Sequence, residues 1–141
     1  MEFPVQLRNK INSLTESEDI KALAKAAELL SERYRDERGD GKRSASGRRD
    51  ILAYAAVRMP ATFAAVSRAL ELALECFDGK IYSVLDVGAG TGAGAIAAAL
   101  LTDCADIRCV EREQNMIALG QEFFACMDIQ GEWIRRDIAQ G

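Results

Sequence analysis

The most constraining feature of the chain is a stretch of nine residues, Val84-Leu85-Asp86-Val87-Gly88-Ala89-Gly90-Thr91-Gly92, which continues an apolar, β-rich run beginning at Ile81. Such a run reads as a buried parallel strand, and three glycines at alternate positions permit backbone torsions and close approaches that a Cβ penalises. Beyond the turn, Gly94 to Leu101 is alanine-rich and predicts a helix. A strand that ends in a tight glycine turn and continues as a helix directs backbone amides, and the positive end of a helix dipole, to the carboxyl edge of a sheet. Open α/β sheets bind their ligands at that edge, so the stretch sets a fold class and a place to look for a site.

The segments that follow keep the alternation. Ile107 to Val110 predicts a second strand, and Gln114 to Met127 a helix with Met116, Ile117, Leu119, Phe123 and Phe124 on its apolar side. Glu132 to Arg136 predicts a third strand ending at Asp137. This β-α-β-α-β order implies a parallel sheet with right-handed crossovers. Before Ile81 the periodicity is helical. Leu7, Ile11 and Leu14 mark a short first helix, and Thr15-Glu16-Ser17-Glu18 is a capping-box pattern suited to starting the next. Ile20, Leu23, Ala27, Leu30 and Tyr34 form the stripe of a second helix, and Gly39 to Gly47 reads as a connection. A third helix is expected from Asp50 to Arg58, stopped at Pro60 or succeeded there by a fourth with Phe63, Val66, Leu70, Ala73 and Phe77 on its stripe. The expected organisation is an α-helical region over residues 1–77 and an α/β portion over 78–141.

Composition narrows the chemistry. Hydrophobic residues make up 49% and charged residues 28%, the balance of a folded globular protein. The longest apolar stretch, around Ala95 to Leu101, is short of a membrane span, and no basic-then-apolar leader opens the chain, so a cytoplasmic, membrane-free location is expected. Cys76, Cys104, Cys109 and Cys126 have no CxxC spacing and read as small buried apolar residues. The chain has no histidine, which removes the commonest general base and the commonest metal ligand, and no metal site is expected. A net charge of -4 argues against coating nucleic acid non-specifically. Even so, seven basic residues stand against three acidic ones between Arg33 and Arg49, a solvated helix end and loop or an RNA-contacting patch. Arg38-Gly39-Asp40 within it reads as a chance occurrence of a cell-adhesion tripeptide.

A glycine turn alone is shared by nicotinamide, flavin and methionine-derived cofactors. Asp86, two positions before Gly88, is more selective, because a carboxylate there suits a ligand that carries an ammonium and a sulfonium. The resulting Asp-x-Gly-x-Gly-x-Gly pattern resembles the first signature of class I S-adenosylmethionine-dependent methyltransferases. Glu111, 19 positions after Gly92 at the end of the second strand, stands where an acid accepts hydrogen bonds from ribose hydroxyls. Asp137 matches the position beside the adenine, and Met116 or Ile117 would pack on the base. Each acid also has a plainer account: Asp86 as a cap for a backbone amide, Glu111 with Glu113 as a solvated pair, Asp137 as a surface residue. Three acids at the tips of three successive strands favour a common role. The competing cofactor is a nicotinamide, since Gly88 to Ala93 also approximates GxGxxA, and Asp86 argues against it.

A wider resemblance rests on Tyr54-Ala55-Ala56-Val57-Arg58-Met59-Pro60-Ala61-Thr62-Phe63, on the Leu85 to Gly92 turn, and on Glu111-Arg112-Glu113 followed by Met116-Ile117-Ala118-Leu119-Gly120. Together these resemble the Rsm22-type family of methyltransferase-like proteins of the small ribosomal subunit, over about residues 50 to 125. The resemblance implies a Rossmann-like fold, S-adenosyl-L-methionine as cofactor, and a role on small-subunit ribosomal RNA as a methyltransferase or as a non-catalytic assembly factor that keeps the pocket. The implied cofactor set is Asp86, Gly88, Ala89, Gly90, Thr91, Gly92, Glu111, Arg112, Met116 and Asp137. Tyr54 and Arg58, one helical turn apart, would guard the crevice or touch RNA, or else pack their helix onto the sheet. Mitochondrial relatives carry cysteines for an iron-sulfur cluster in a later part, and nothing here matches them. A complete class I sheet continues with further strands beyond strand 1, and this chain carries only strands 1 to 3. It is therefore expected to be the N-terminal part of a longer protein, inactive by itself, or to associate with a second copy through an exposed strand edge. No catalytic residue is assigned.

Overall fold

The computed structural model describes residues 1–36 and 47–140. Three helices come first: α1 (Val5–Thr15), α2 (Ile20–Asp36) and α3 (Arg48–Glu75). They are followed by β1 (Ser83–Val87), α4 (Ala93–Leu101), β2 (Asp106–Glu111), α5 (Gln114–Cys126), β3 (Glu132–Arg135) and a short 3-10 turn, Ile138–Gln140. All of the expected connection except Gly47, the Arg-Gly-Asp tripeptide, and Arg38, Lys42 and Arg43 of the basic cluster lie outside the described residues.

Two expectations about the helices are corrected. Thr15 does not cap α2. Its hydroxyl donates back to the Ile11 carbonyl at 2.8 Å, closing α1. Asp19 opens α2 instead, its carbonyl accepting the Leu23 N–H at 2.9 Å and its Oδ1 lying 3.4 Å from the Lys21 nitrogen. Nor does Pro60 stop a helix, because α3 runs through it without interruption, leaving three helices before β1 among the described residues. A proline inside a helix loses one backbone hydrogen bond and clashes with the preceding turn, at about 3 kcal/mol. Against that, Ile51, Ala55, Met59, Phe63 and Ser67 recur every four residues on one buried stripe that crosses the proline, while Pro60 itself is half-buried on another side. Burying Ile51, Met59 and Phe63 is worth about 1.5–3 kcal/mol each, so packing of the stripe outweighs the break.

The sheet is parallel in the order β1-β2-β3. Asp86 is in register with Cys109, and Cys109 with Trp133, so the three share one face. Helices α4 and α5 cover that face, as successive crossovers of one hand in one direction require; α3 packs against both, and α1 against α3 and α5. One core runs through all these layers, from Leu7, Leu30 and Phe63 to Ile96, Ile107 and Phe123. Among the described residues the other sheet face is open. β1 therefore differs from a strand buried on both sides: Leu85 is 63% and Val87 50% exposed, Tyr82 lies outside the strand, and β1 pairs with β2 alone among the described residues. The cysteines are also less uniformly buried than expected. Only Cys109 is buried, whereas Cys76, just past the end of α3, is exposed.

Packing of α5 onto β3 explains one small residue. A Cβ on Gly120 would run into the Trp133 ring, which is itself set against Phe124 with centroids 5.1 Å apart.

Candidate functional site

At the carboxyl edge of the sheet, the turn after β1 folds down onto β2. The amides of Gly88 and Ala89 both donate to the Val110 carbonyl, at 2.9 and 3.1 Å. Gly88, Gly90 and Gly92 take φ of 75°, 57° and 90°, a region that disfavours any residue with a Cβ. The surroundings separate their roles. A Cβ at Gly88 or Gly90 would meet nothing within 4 Å, whereas one at Gly92 would stand 2.9 Å from the Phe124 ring and 3.3 Å from Trp133. Gly92 clears the α5 aromatic cluster, and the other two leave bare backbone facing open space.

Glu111, at the tip of β2, clamps this turn. Its Oε2 accepts the Gly90 N–H at 2.8 Å, and its Oε1 accepts those of Arg112 at 2.8 Å and Glu113 at 3.0 Å. A carboxylate offers about four acceptor directions. Three are used, which leaves about one for a donor from outside. Arg112 reaches toward Glu113 at 3.6 Å and toward Asp137 at 3.9 Å, tying the second strand tip to the third.

Asp86 lies behind the turn. Its Oδ2 accepts the Ala95 N–H at 2.9 Å and so caps the first turn of α4, and a Cβ on Gly94 would stand 2.9 Å from that oxygen. Burial raises the Asp86 pKa, the Ala95 hydrogen bond lowers it, and the nearby charge of Glu111 raises it further, with a net upward shift. Burial, then the charge of Asp86, pushes the neighbouring Cys109 thiol up to about 12, so it stays protonated at neutral pH.

A cavity of about 440 Å³ opens above the turn, within the range of small-molecule sites. Of the residues singled out from sequence, Gly88, Gly90, Glu111, Arg112, Met116, Asp137 and Tyr54 line it. Asp86, Ala89, Thr91 and Gly92, also expected in the cofactor site, are not among its lining residues. Ala89 and Thr91 are buried, and the Thr91 hydroxyl donates to the Met59 sulfur at 3.5 Å, fastening α3 to the glycine turn. Ile117 is buried in the core, and Arg58 is exposed and outside the lining. The cavity also contains residues that sequence reasoning passed over. Arg136 and Ile138 follow directly from β3, and the rule that ligands sit beyond strand carboxyl ends would have found them. Tyr34 carries no such signal. It ends the apolar stripe of α2 and reaches the cavity only because α2 packs on α3.

The glycine cradle that a Cβ would fill, the clamped acid on β2 and the second acid beyond β3 fit a nucleoside-type cofactor. Among the described residues no cluster of metal-ligating side chains occurs, and no helix is long and apolar enough to cross a membrane.

Comparison with known proteins agrees with this architecture. Among solved structures, the chain is similar to a protein of Methanococcus maripaludis assigned as an S-adenosyl-L-methionine-dependent methyltransferase. The TM-score is 0.55 at 18% identity, over 68% of this chain and 45% of that one. It is also similar to a protein of Pyrococcus horikoshii assigned as an RNA methyltransferase, with a TM-score of 0.47 at 27% identity, over 55% of this chain and 37% of that one. The chain thus spans less than half the length of either structure. No curated protein matches it significantly. The helices and three-stranded parallel sheet correspond to part of the Rossmann-like fold of the Methanococcus maripaludis structure. The model of the family described as mitochondrial small ribosomal subunit Rsm22 matches residues 48–140, from the start of α3 to the turn after β3, and the chain belongs to the Rsm22 family.

Proposed function

We propose that the cavity at the strand tips binds S-adenosyl-L-methionine, and that the protein carrying this chain is a methyltransferase acting on small-subunit ribosomal RNA. The observation that carries the cofactor assignment is the meeting of Gly88, Gly90, Glu111 and Asp137 around one cavity. Bare backbone admits a ligand closely, the Glu111 carboxylate holds the turn and keeps an acceptor direction, and Asp137 offers a second acceptor beyond β3. Asp86 contributes negative charge from behind the turn and fixes the start of α4, a positioning role. When bound, the cofactor supplies an activated methyl group on a sulfonium, so the task left to the protein is chiefly orientation. The ribosomal substrate is supported by the family, whose description names the small ribosomal subunit.

Calorimetric titration of the chain with S-adenosylmethionine and with NAD separates the cofactor classes. Binding of the first and not the second is expected, with Asp86→Ala weakening it. Binding of NAD alone would sink the assignment. That same family description, which names a ribosomal subunit component, favours a second reading in which the pocket serves a non-catalytic assembly factor. Methyl transfer to isolated small-subunit RNA by a protein containing the whole domain decides between them, since cofactor binding without any transfer selects the assembly role.

A further inference from the structure

Tyr34 and Tyr54 stand apart from the rest of the cavity lining. The other lining residues belong to the strand tips and the segments that follow them, whereas these two come from α2 and α3. Their rings meet edge to face, with centroids 5.7 Å apart and planes at 87°. Leu30, one turn before Tyr34 on the same stripe of α2, and Ala55, the neighbour of Tyr54 in α3, are buried, yet both tyrosines keep part of their surface open. Both line the same cavity as Glu111 and Asp137. A ligand held there by the acids of the strand tips shares the cavity with two aromatic rings, which favour stacking and edge contacts with a base or ribose.

We infer that Tyr34 and Tyr54 form the outer wall of the cavity and close on the nucleoside part of the cofactor, making α2 a ligand-coupled element. The inference rests on the cofactor assignment above and adds the helical region to the binding site. Its mechanical basis is that α2 is held mainly through α3, so its local opening costs less than that of the elements seated on the sheet. A ligand that contacts Tyr34 stabilises the closed position and slows that opening.

The test is amide hydrogen exchange of the 141-residue chain with and without S-adenosylhomocysteine, together with calorimetric affinities of Tyr34→Ala and Tyr34→Phe. Slower exchange is expected in residues 30–36 as well as in the glycine turn. Tyr34→Ala is expected to bind about tenfold more weakly, and Tyr34→Phe within about twofold of wild type, because the ring and not the hydroxyl makes the wall. Protection of the glycine turn without protection of residues 30–36, or undiminished affinity in a folded Tyr34→Ala, overturns the wall and leaves the cofactor assignment standing. No binding of either S-adenosylmethionine or S-adenosylhomocysteine by the wild type removes both. Should Tyr34→Ala not fold, the exchange pattern of the wild type decides alone.

Discussion

Asp86 combines two demands that pull its protonation in opposite directions. It caps α4, which favours the charged form, and it is enclosed beside Glu111, which disfavours it, and enclosure prevails. A carboxyl whose pKa is higher folded than unfolded binds its proton more tightly in the folded state. The stabilisation is complete below about pH 4 and is lost as pH rises through the folded value. Asp86→Asn keeps the shape and an acceptor for the Ala95 N–H but does not ionise. In the ligand-free chain it is therefore expected to melt above wild type at pH 7, with the gap closing as pH falls toward 4, in thermal scans across that range. An equal gap at every pH would mean that folding does not change the proton affinity of Asp86. The cysteines provide a second check at the same scale. Cys76 is exposed and Cys109 is buried with its thiol held near 12, so an alkylating reagent at pH 8 should label Cys76 first and Cys109 only on unfolding, read by peptide mass.

Among the elements, α5 and β3 depend on one close fit. The Trp133 ring occupies the space above Gly120 and borders Gly92, so one indole is fitted against two glycines and Phe124. In an ordinary helix interior, glycine to alanine gains about 1 kcal/mol. Here the new methyl enters space that the indole occupies, and overpacking costs about 1–3 kcal/mol or more. Gly120→Ala is therefore expected to destabilise the chain by about 2 kcal/mol in denaturant unfolding, with Trp133→Leu relieving most of the loss in the double variant. A stabilised Gly120→Ala would show that the indole moves freely. Helix α3 illustrates the reverse balance, in which a costly residue is tolerated because the stripe on both sides of Pro60 is buried. The same stripe carries Met59 to Thr91, so continuity through the proline links the helical region to the glycine turn.

At the scale of the whole fold, the decisive asymmetry is that, among the described residues, one sheet face is covered and the other open. Leu85 and Val87 present an apolar surface on β1, whose outer edge pairs with nothing among the described residues, while the charges of that face lie on β2 and β3 in the Asp106–Arg108–Glu132 ion pairs. An apolar edge without charge is a template for pairing. Light scattering is expected to show concentration-dependent association, reduced by Leu85→Lys. A clean monomer at high concentration would remove this expectation.

Much of the molecule was legible in the sequence because the relevant signals are local. The alternation of strand and helix, the ends of β2, α5 and β3 to within about two residues, and the glycine turn follow from periodicity and backbone torsion, which act within a few positions along the chain. The placement of acids at three strand tips followed from those strand ends. What only the tertiary structure decided involves choices between competing local signals, or contacts between distant segments. Asp19 took the cap from Thr15, and a buried stripe carried α3 through Pro60. The fold turned Asp86 toward the start of α4 while setting Glu111 in the cavity wall. It also brought Tyr34, from the far end of α2, to a site built 54 positions and more downstream. Periodicity tells which side of an element is apolar, but which neighbour covers that side depends on how whole elements pack.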